Sequence, residues 1–389
     1  MGQYWVWFAE LRGISHKRKM ALLKKFENPK AIYDAGQQAI FTLYDPTGKE
    51  WEALQNPSLD KAQAIVAQCK EKGIGILPVT SKLYPQLLRQ IDDPPIVLYF
   101  KGLLPRWETF PAVGIVGTRS ASAYGMQCAY QMGAQVGACG GLVVSGGALG
   151  VDAMAMDGAL RQGYPAVGVL GCGVDVVYPP TNRPLFEALV QNGCLLSEYA
   201  PGTSAYPSNL ARRNRLISGI SNALVVVEAP AKSGALITAK YAAQQGRDVF
   251  VVPGNVDNTT CAGSNALLQN GASVAMKGYD VVGLYKDQFP DRVRNATIEN
   301  VAKPEFVPAK ADKKPIDKRK NGEYSGKENL RPLTGDDKLV YDLLSDDPIL
   351  VDVLIARSGI GAARVLVSLT KLTIAKRIIN HPGKFITKR

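Results

Sequence analysis

Apolar runs that end on glycine-rich turns dominate the middle of this 389-residue chain. Examples are the runs at 113–116, 142–145, 167–170 and 249–252, each followed within two residues by glycine. Glycine lets backbone N–H groups approach an anion, and a helix that starts at such a turn adds partial positive charge. In open α/β folds these turns gather at the carboxyl edge of a parallel sheet, where ligands bind. The pattern therefore predicts phosphate binding along one edge of a sheet.

Alternating strand-like and helix-like segments predict one doubly wound α/β domain with a mostly parallel sheet. Because the strand segments are continuously apolar, we expect both faces of the sheet to be covered. A further strand is expected at 96–100, after two consecutive prolines. The other predicted strands cover 113–116, 142–145, 166–170, 194–197, 223–227 and 249–252, and the predicted helices cover 123–139, 151–162, 185–191, 234–245 and 265–270.

Smaller units are expected on either side of this domain. Residues 1–75 are predicted to be helical (4–11, 17–26 and 59–72), with Gly13 and the basic residues 17–19 forming a SAM-like or helix-hairpin-helix-like turn. That turn either contacts a nucleic-acid backbone or is the solvated face of a helical cap. The predicted division is 1–75, a Rossmann-like domain at 76–285, a flexible basic linker at 286–332 and a last unit at 333–389.

The last unit has the pattern of a winged helix. Helices are predicted at 336–345, 348–357 and 362–374, followed between 378 and 387 by two strands joined at a Pro-Gly turn. Winged helices usually bind DNA through the third helix, and Arg364, Lys371, Lys376 and Arg377 are compatible with that role. The third helix carries few polar side chains that read bases, so a protein contact or an autoregulatory role stays open.

Composition favours a polyanionic partner and excludes several enzyme classes. The net charge is +12, and the only histidines, His16 and His381, lie outside the predicted sheet. A Ser-His-Asp triad or a histidine zinc site is therefore excluded there. The Walker motif is absent, and no Gly-x-Gly-x-x-Gly opens a helix after a strand. We expect no cofactor, no metal ion and no catalytic residue.

Cysteine usage and hydropathy bear on location. The six cysteines form no Cys-x-x-Cys pair, which is typical of reduced cytoplasmic thiols. We see neither a signal-peptide pattern nor an apolar stretch of the roughly 20 residues that span a bilayer.

Five acidic residues lie near the glycine turns. They either serve as acid–base groups or Mg²⁺ ligands, or they have a structural role, capping helices or pairing with arginines. The structural role is favoured. These residues are Asp152, Asp175, Glu198, Glu228 and Asp257.

Cations and hydroxyls near the glycine turns define the candidate site. Guanidinium groups match phosphate oxygens bidentately. The alternative for some of these arginines is to brace loops by pairing with Asp152 or Glu198. Several anion-suited turns on one sheet edge fit a strand of nucleic acid better than a mononucleotide. The predicted phosphate-binding residues are Gly117, Thr118, Arg119, Ser145, Gly146, Gly147, Arg212, Arg213, Asn214, Arg215, Ser233 and Gly234.

Taken together and in order, these motifs resemble the DprA/Smf family of bacterial DNA-processing proteins. The resemblance covers about residues 80–285. The matching motifs are 84–85, 92–95, 117–125, 145–152, 171–179, Asn182, 197–198, 201–202, 213–219, 233–238, 246–247, 253–254 and 265–272.

The resemblance implies an extended Rossmann-like domain that binds single-stranded DNA. Family members protect incoming strands, help to load the RecA recombinase in natural transformation, form homodimers and are not established enzymes. It also implies phosphate contact by Gly117, Thr118 and Arg119, with the motifs at 145–146 and 213–215 around the same pocket. The alternative is a nucleotide-cleaving enzyme on a Rossmann-like fold, for which Glu228 would be the catalytic acid.

Three positions depart from the family pattern. The segment before Arg213 lacks the usual Phe-Pro. The family's nearby basic residue and the aromatic residue after it correspond to Pro207 and Leu210, so a cationic and a stacking contact are missing. Arg212 is expected to compensate for that loss. The histidine common after the Gly-Val-Asp turn is Met156.

Overall fold

The computed structural model describes residues 2–43, 47–55, 57–296, 333–345, 349–374, 377–381 and 385–388. The chain divides at residue 310 into two compact units. The first unit contains a nine-stranded sheet and its covering helices. The second contains three helices and a three-stranded sheet.

The strands of the first unit are β1 Gly75–Pro78, β2 Val97–Gly102, β3 Ala112–Val116, β4 Leu142–Ser145, β5 Ala166–Leu170, β6 Gly193–Ser197, β7 Ala223–Val226, β8 Asp248–Val251 and β9 Ser273–Val274. Their order in the sheet is β1-β2-β6-β5-β4-β3-β7-β8-β9. Strands β3 to β9 pair in parallel, whereas β2 is antiparallel to both β1 and β6. The predicted α/β class with a mostly parallel sheet is confirmed. The strands β3 to β7 are buried along their whole length, as a sheet covered on both faces requires.

The helices of the first unit are α1 Gly2–Glu10, α2 His16–Phe26, α3 Pro29–Ala35, α4 Gly48–Ala53, α5 Asp60–Glu71, α6 Gln86–Arg89, α7 Ala123–Ala138, α8 Val151–Arg161, α9 Arg183–Gln191, α10 Pro207–Ile220, α11 Gly234–Gln244, α12 Ala262–Gln269 and α13 Gly278–Val282. Helices α7 and α8 pack closely through small residues: a Cβ on Gly133 would lie 1.8 Å from the Ala155 carbonyl oxygen. Helices α10 and α11 pack against each other.

The N-terminal helices share one hydrophobic core with the sheet. Two of the three basic residues that open α2 are used internally. Arg18 forms a bidentate ion pair with Glu50, and the buried Lys19 donates from Nζ to the Ala9 carbonyl at 2.8 Å. This favours the helical-cap interpretation over a nucleic-acid contact for these two residues.

Residues 286–296, which the sequence assigns to the linker, pack on the first unit. Val293 is buried, and Arg294 Nε donates to the Ala138 carbonyl at 2.8 Å. The Arg292 guanidinium stands 4.3 Å from the centre of the Phe110 ring. The predicted start of the linker is therefore too early. The rest of that segment, 297–332, lies outside the described residues.

The second unit has helices α14 Gly335–Asp342, α15 Val351–Ser358 and α16 Ala362–Ile374, and strands β10 Ile349–Leu350, β11 Ile378–His381 and β12 Phe385–Lys388 in the order β10-β12-β11. This is the winged-helix arrangement that the sequence predicts. Arg364 on α16 forms a bidentate pair with Asp336, and Lys371 lies 3.5 Å from Asp337. Lys376 lies outside the described residues.

Candidate functional site

A cavity of about 440 Å³ opens at the carboxyl edge of the sheet. Val116 and Gly117 at the end of β3 line it, and so does Pro230 in the loop after β7. The order of the strands reverses between β3 and β7, because β4, β5 and β6 lie on one side of β3 and β7 and β8 on the other. Such a switch point is where open α/β sheets bind ligands. This first cavity is therefore the candidate site.

The turn after β3 is fixed in place at the edge of the cavity. Thr118 donates its N–H to the Glu228 carbonyl at 2.7 Å. A Cβ on Gly117 would lie 2.5 Å from Val151 Cγ2 and 2.8 Å from the same carbonyl, so only glycine fits. Arg119 is exposed and lines the cavity, and no ion pair holds its guanidinium within the described chain. The fixed backbone of this turn thus presents an exposed cation.

Helix α11 begins at the same cavity. Ser233 caps it, accepting from the Ala235 N–H at 3.2 Å, and Gly234 is exposed. The first N–H groups of an α-helix lack partners within the helix and carry partial positive charge. Lys232 precedes the cap, lines the cavity and is exposed, and it has no ion pair among the residues described. Sequence reasoning missed Lys232, although a lysine next to a helix-capping Ser-Gly is a recognisable signal.

Residues 212–215 lie within α10, a 14-residue helix that the sequence analysis did not predict. Successive residues of an α-helix point about 100° apart. The four side chains therefore separate: Arg213 and Asn214 line the cavity, whereas Arg212 and Arg215, three residues apart, share another face. The structure brings together only part of the predicted set.

Arg213 supports the cavity wall from inside. It is 3% exposed and donates to the carbonyls of Gly146 and Val169. Asp152 is also buried and accepts from the Gly146 N–H at 3.2 Å. Burial raises the pKa of the Asp152 carboxyl and lowers that of Arg213, while the charge of each opposes the shift of the other. Arg213 thus braces the strand ends as well as lining the site.

The turn after β4 contributes structure rather than ligand donors. Ser145 is fully buried, and its Oγ donates to the Ile115 carbonyl at 2.6 Å. A Cβ on Gly146 would lie 2.6 Å from Asp152 Oδ2, and Gly147 accepts from Asn182 through its carbonyl. The cavity lining does not include Ser145, Gly146 or Gly147. Gly146 contacts Asp152 and Arg213, which do line the cavity, and the phosphate role predicted for Ser145, Gly146 and Gly147 stays a prediction.

Arg212 and Arg215 belong to an ion-pair network instead. Arg212 Nη2 lies 3.1 Å from Asp93 Oδ2, and Arg215 Nη2 lies 2.5 Å from Glu198 Oε2. His16 Nδ1 on α2 is 3.1 Å from Asp93 Oδ1. The network ties the N-terminal helices to α10. Neither arginine lines the cavity, and the expectation that Arg212 compensates for the missing cation stays a prediction.

The candidate acid of the enzyme alternative points away from the cavity. Glu228 is 1% exposed and accepts from the Ser122 N–H at 3.1 Å and from Ser122 Oγ at 2.8 Å. It therefore anchors the start of α7. Asp175 likewise pairs with Lys72 at 2.6 Å. The described residues contain no cluster of three or more potential metal-ligating side chains.

Comparison with known proteins places the chain in a family. The family model for DNA recombination-mediator protein A matches residues 75–286, and the DprA winged helix domain matches 327–384. The chain belongs to the DNA recombination-mediator protein A family. Protein Smf of Synechocystis sp. is 30% identical over 99% of this chain and 98% of its own length. DprA of Bacillus subtilis is 36% identical over 60% of this chain and 77% of its own.

The solved structures give the same family fold. The X-ray structure of DprA from Streptococcus pneumoniae matches 73% of this chain and 98% of its own, with a TM-score of 0.63 and 28% identity. The predicted DprA/Smf membership is confirmed, and with it a DNA-processing role in recombination. None of the described helices is both long and apolar enough to cross a membrane.

Two of the positions at which the sequence departs from the expected family pattern lie at the cavity wall. Pro207 and Leu210 both line the cavity, on the first two turns of α10. Met156 is fully buried in the core. The loss of a basic and an aromatic side chain therefore changes the wall of the site itself, and Met156 affects only packing.

Proposed function

We propose that this protein binds single-stranded DNA in the first cavity. Phosphates lie against the turn of Gly117, Thr118 and Arg119 and against the N-terminus of α11 at Ser233 and Gly234. Arg119 and Lys232 supply exposed positive charge from two different loops, and Asn214 adds a neutral hydrogen-bond donor. The single observation that carries the proposal is this convergence of a fixed turn, a helix N-terminus and two exposed cations at the switch point.

The remaining lining suits the uncharged part of a nucleotide. Cationic Arg119, Lys232 and Arg213 face one carboxylate, Asp152, which favours an anionic ligand. An apolar wall allows sugars and bases to pack against carbon atoms, as single-strand binding sites require. Its residues are Tyr178, Ala205, Pro207, Leu210, Ile217 and Ile237.

We further propose that the protein is a cytoplasmic recombination mediator without catalysis, which protects incoming strands and helps to load the RecA recombinase in natural transformation. A homodimer is part of the proposal. It is supported by the short edge strand β9, in which Val274 is 50% exposed, and by Met276 shortly after it, which is 74% exposed. The predicted domain boundaries at 75 and 332 stay predictions.

The DNA proposal is tested by fluorescence anisotropy with a labelled oligo-dT across a salt series. Each phosphate neutralised on a single strand contributes about 0.7 to the slope of log affinity against log salt. Arg119→Ala is expected to weaken binding and reduce the slope by about 0.7. The matched control is Arg106→Ala, an exposed arginine in the loop that precedes β3. Equal affinity for Arg119→Ala and wild type would refute the assignment.

The mediator proposal needs a separate assay. RecA filament growth on a strand already coated with single-strand binding protein is expected to start sooner when this protein is present. Arg119→Ala should lose that stimulation. Sedimentation analysis checks the dimer, and a monomer mass at every concentration would contradict it.

A further inference from the structure

A second cavity, of about 310 Å³, lies farther along α10 and α11. It is lined by Asp92, Asp93, Arg215, Tyr241, Gln245 and Arg247, together with neighbouring residues of the same segments. It shares no lining residue with the first cavity. Its volume is at the lower end of the range for small-molecule sites.

Several buried polar atoms around the second cavity lack hydrogen-bond partners in the described part of the chain. Four of them are Arg215 Nε and Nη1, Gln245 Oε1 and Arg247 Nε; a fifth, Asp93 Oδ1, lies 3.1 Å from His16 Nδ1. Arg215 is only 6% exposed; its Nε lies 3.4 Å from Asp93 Oδ2 without hydrogen-bond alignment. Buried polar groups are normally paired. Four such atoms at one cavity therefore indicate a polar ligand.

The unpaired atoms specify the chemistry of that ligand. Three donor positions on two guanidinium groups call for acceptors, and the Gln245 oxygen calls for a donor. Two arginines are balanced by the carboxylates of Asp92 and Asp93, so the lining does not favour an anion, in contrast to the first cavity. A flat, neutral group with two acceptors and one donor fits, and the half-buried ring of Tyr241 provides a face for it. Thymine has that pattern, with two carbonyl oxygens and one N–H.

One face of α11 joins the two cavities. Gly234 and Thr238 line the first, and Tyr241 and Gln245 line the second. The spacing of these residues is four, three and four, which places them in one row along a helix. The two cavities therefore lie about two turns of α11 apart, roughly 11 Å. Thr238 is 1% exposed, so the row gives this spacing and is not itself a surface path.

We propose that the second cavity is a nucleobase-binding site that holds a base of the same DNA strand whose phosphates occupy the first cavity. This inference rests on the proposed function of the first cavity. The strand runs along α11, and one of its bases turns inward between Tyr241 and the guanidinium groups of Arg215 and Arg247, donating to Gln245 Oε1.

The test is an oligo-dT with a single abasic site moved along the strand, with affinity measured by anisotropy. In wild type, one abasic position is expected to weaken binding roughly two- to tenfold because base hydrogen bonds are lost. In Gln245→Met, which keeps the side-chain volume, the unmodified strand is expected to bind more weakly and that same abasic position should cause no further loss. In Arg119→Ala, the same abasic position should still weaken binding relative to the unmodified strand. Gln63→Met, on the exposed surface of α5, is the control for a glutamine substitution.

The outcomes separate the two proposals. If wild type binds oligo-dT but Gln245→Met has the same abasic profile as wild type, the second cavity holds only water and this inference is refuted, while the first-cavity proposal stands. If wild type does not bind oligo-dT at low salt, both are refuted. Titration with thymidine monophosphate identifies the source of the base. Suppose that wild type binds this nucleotide, that Gln245→Met does not, and that no abasic position weakens the binding of oligo-dT to wild type. The second cavity is then a site for free nucleotides, and the strand path is refuted.

Discussion

Replacing Arg213 by leucine tests how the cavity wall is held together. The guanidinium is buried, donates to the carbonyls of Gly146 and Val169, and balances the buried carboxylate of Asp152. Leucine leaves that carboxylate without its opposing charge and both carbonyls without this donor. Removing one partner of a buried pair costs about 3–5 kcal/mol. At roughly 2 °C per kcal/mol for a unit of this size, the unfolding midpoint should fall by about 6–10 °C near neutral pH.

The loss of stability should also depend on pH. The pKa of Asp152 in the folded protein lies above its ordinary 3.8, so the folded state binds more protons than the unfolded state. The free energy of unfolding therefore falls as pH rises from about 3.8 through the folded-state pKa. Without Arg213, the pKa of Asp152 rises further and this window widens. The difference between wild type and Arg213→Leu should thus be larger at pH 8 than at pH 5.

Tryptophan fluorescence is a suited probe of this unfolding, because all four tryptophans, at 5, 7, 51 and 107, lie in the first unit. Adding Asp152→Leu to Arg213→Leu should recover part of the loss and remove this part of the pH dependence, since the carboxylate that Arg213 balances is then absent. Arg106→Leu is the control for an exposed arginine. A midpoint for Arg213→Leu within 1–2 °C of wild type at pH 8, or a difference that does not change with pH, would refute the reasoning.

Three further outcomes are expected. Gly146→Ala should lose roughly 1–3 kcal/mol in the same melt, because its Cβ would lie 2.6 Å from Asp152 Oδ2; an unchanged midpoint would show that the turn relaxes freely. The hydrogen bond from Arg18 lowers the pKa of Glu50 to about 2. Glu50→Gln should therefore be destabilising above pH 4.5, with the difference from wild type closing as pH falls towards 2; a constant difference would contradict this. Lys232→Ala should bind oligo-dT more weakly, with a salt slope lower by about 0.7 and an unchanged melt; an unchanged slope would remove it from the site.

The sheet could be predicted from sequence because its strands are buried on both faces. Continuous apolar runs at 142–145 and 166–170 gave the bounds of β4 and β5 as observed, and the glycine turns marked where strands end. Short strands such as β9 were missed, since Ser273 and Val274 at the exposed edge carry no continuous apolar signal.

Helix α10 escaped prediction for a different reason. Its buried face contains Arg213 and Arg215, and charged residues at buried positions interrupt the apolar period that identifies a helix. The arginines are tolerated there because carbonyls and carboxylates of neighbouring loops surround them. Those partners are distant in sequence, so the sequence alone does not show that the positions are buried.

The same helix explains why the candidate site was only partly predicted. A run of four polar residues in a loop can face one ligand, but in a helix it is distributed around the axis, and here only Arg213 and Asn214 line the cavity. Within the described lining, exposed positive charge comes from Arg119 and Lys232, on the loops after β3 and β7. Because these loops flank the switch point, we expect both cations to reach a strand lying across it, as the DNA-binding proposal requires.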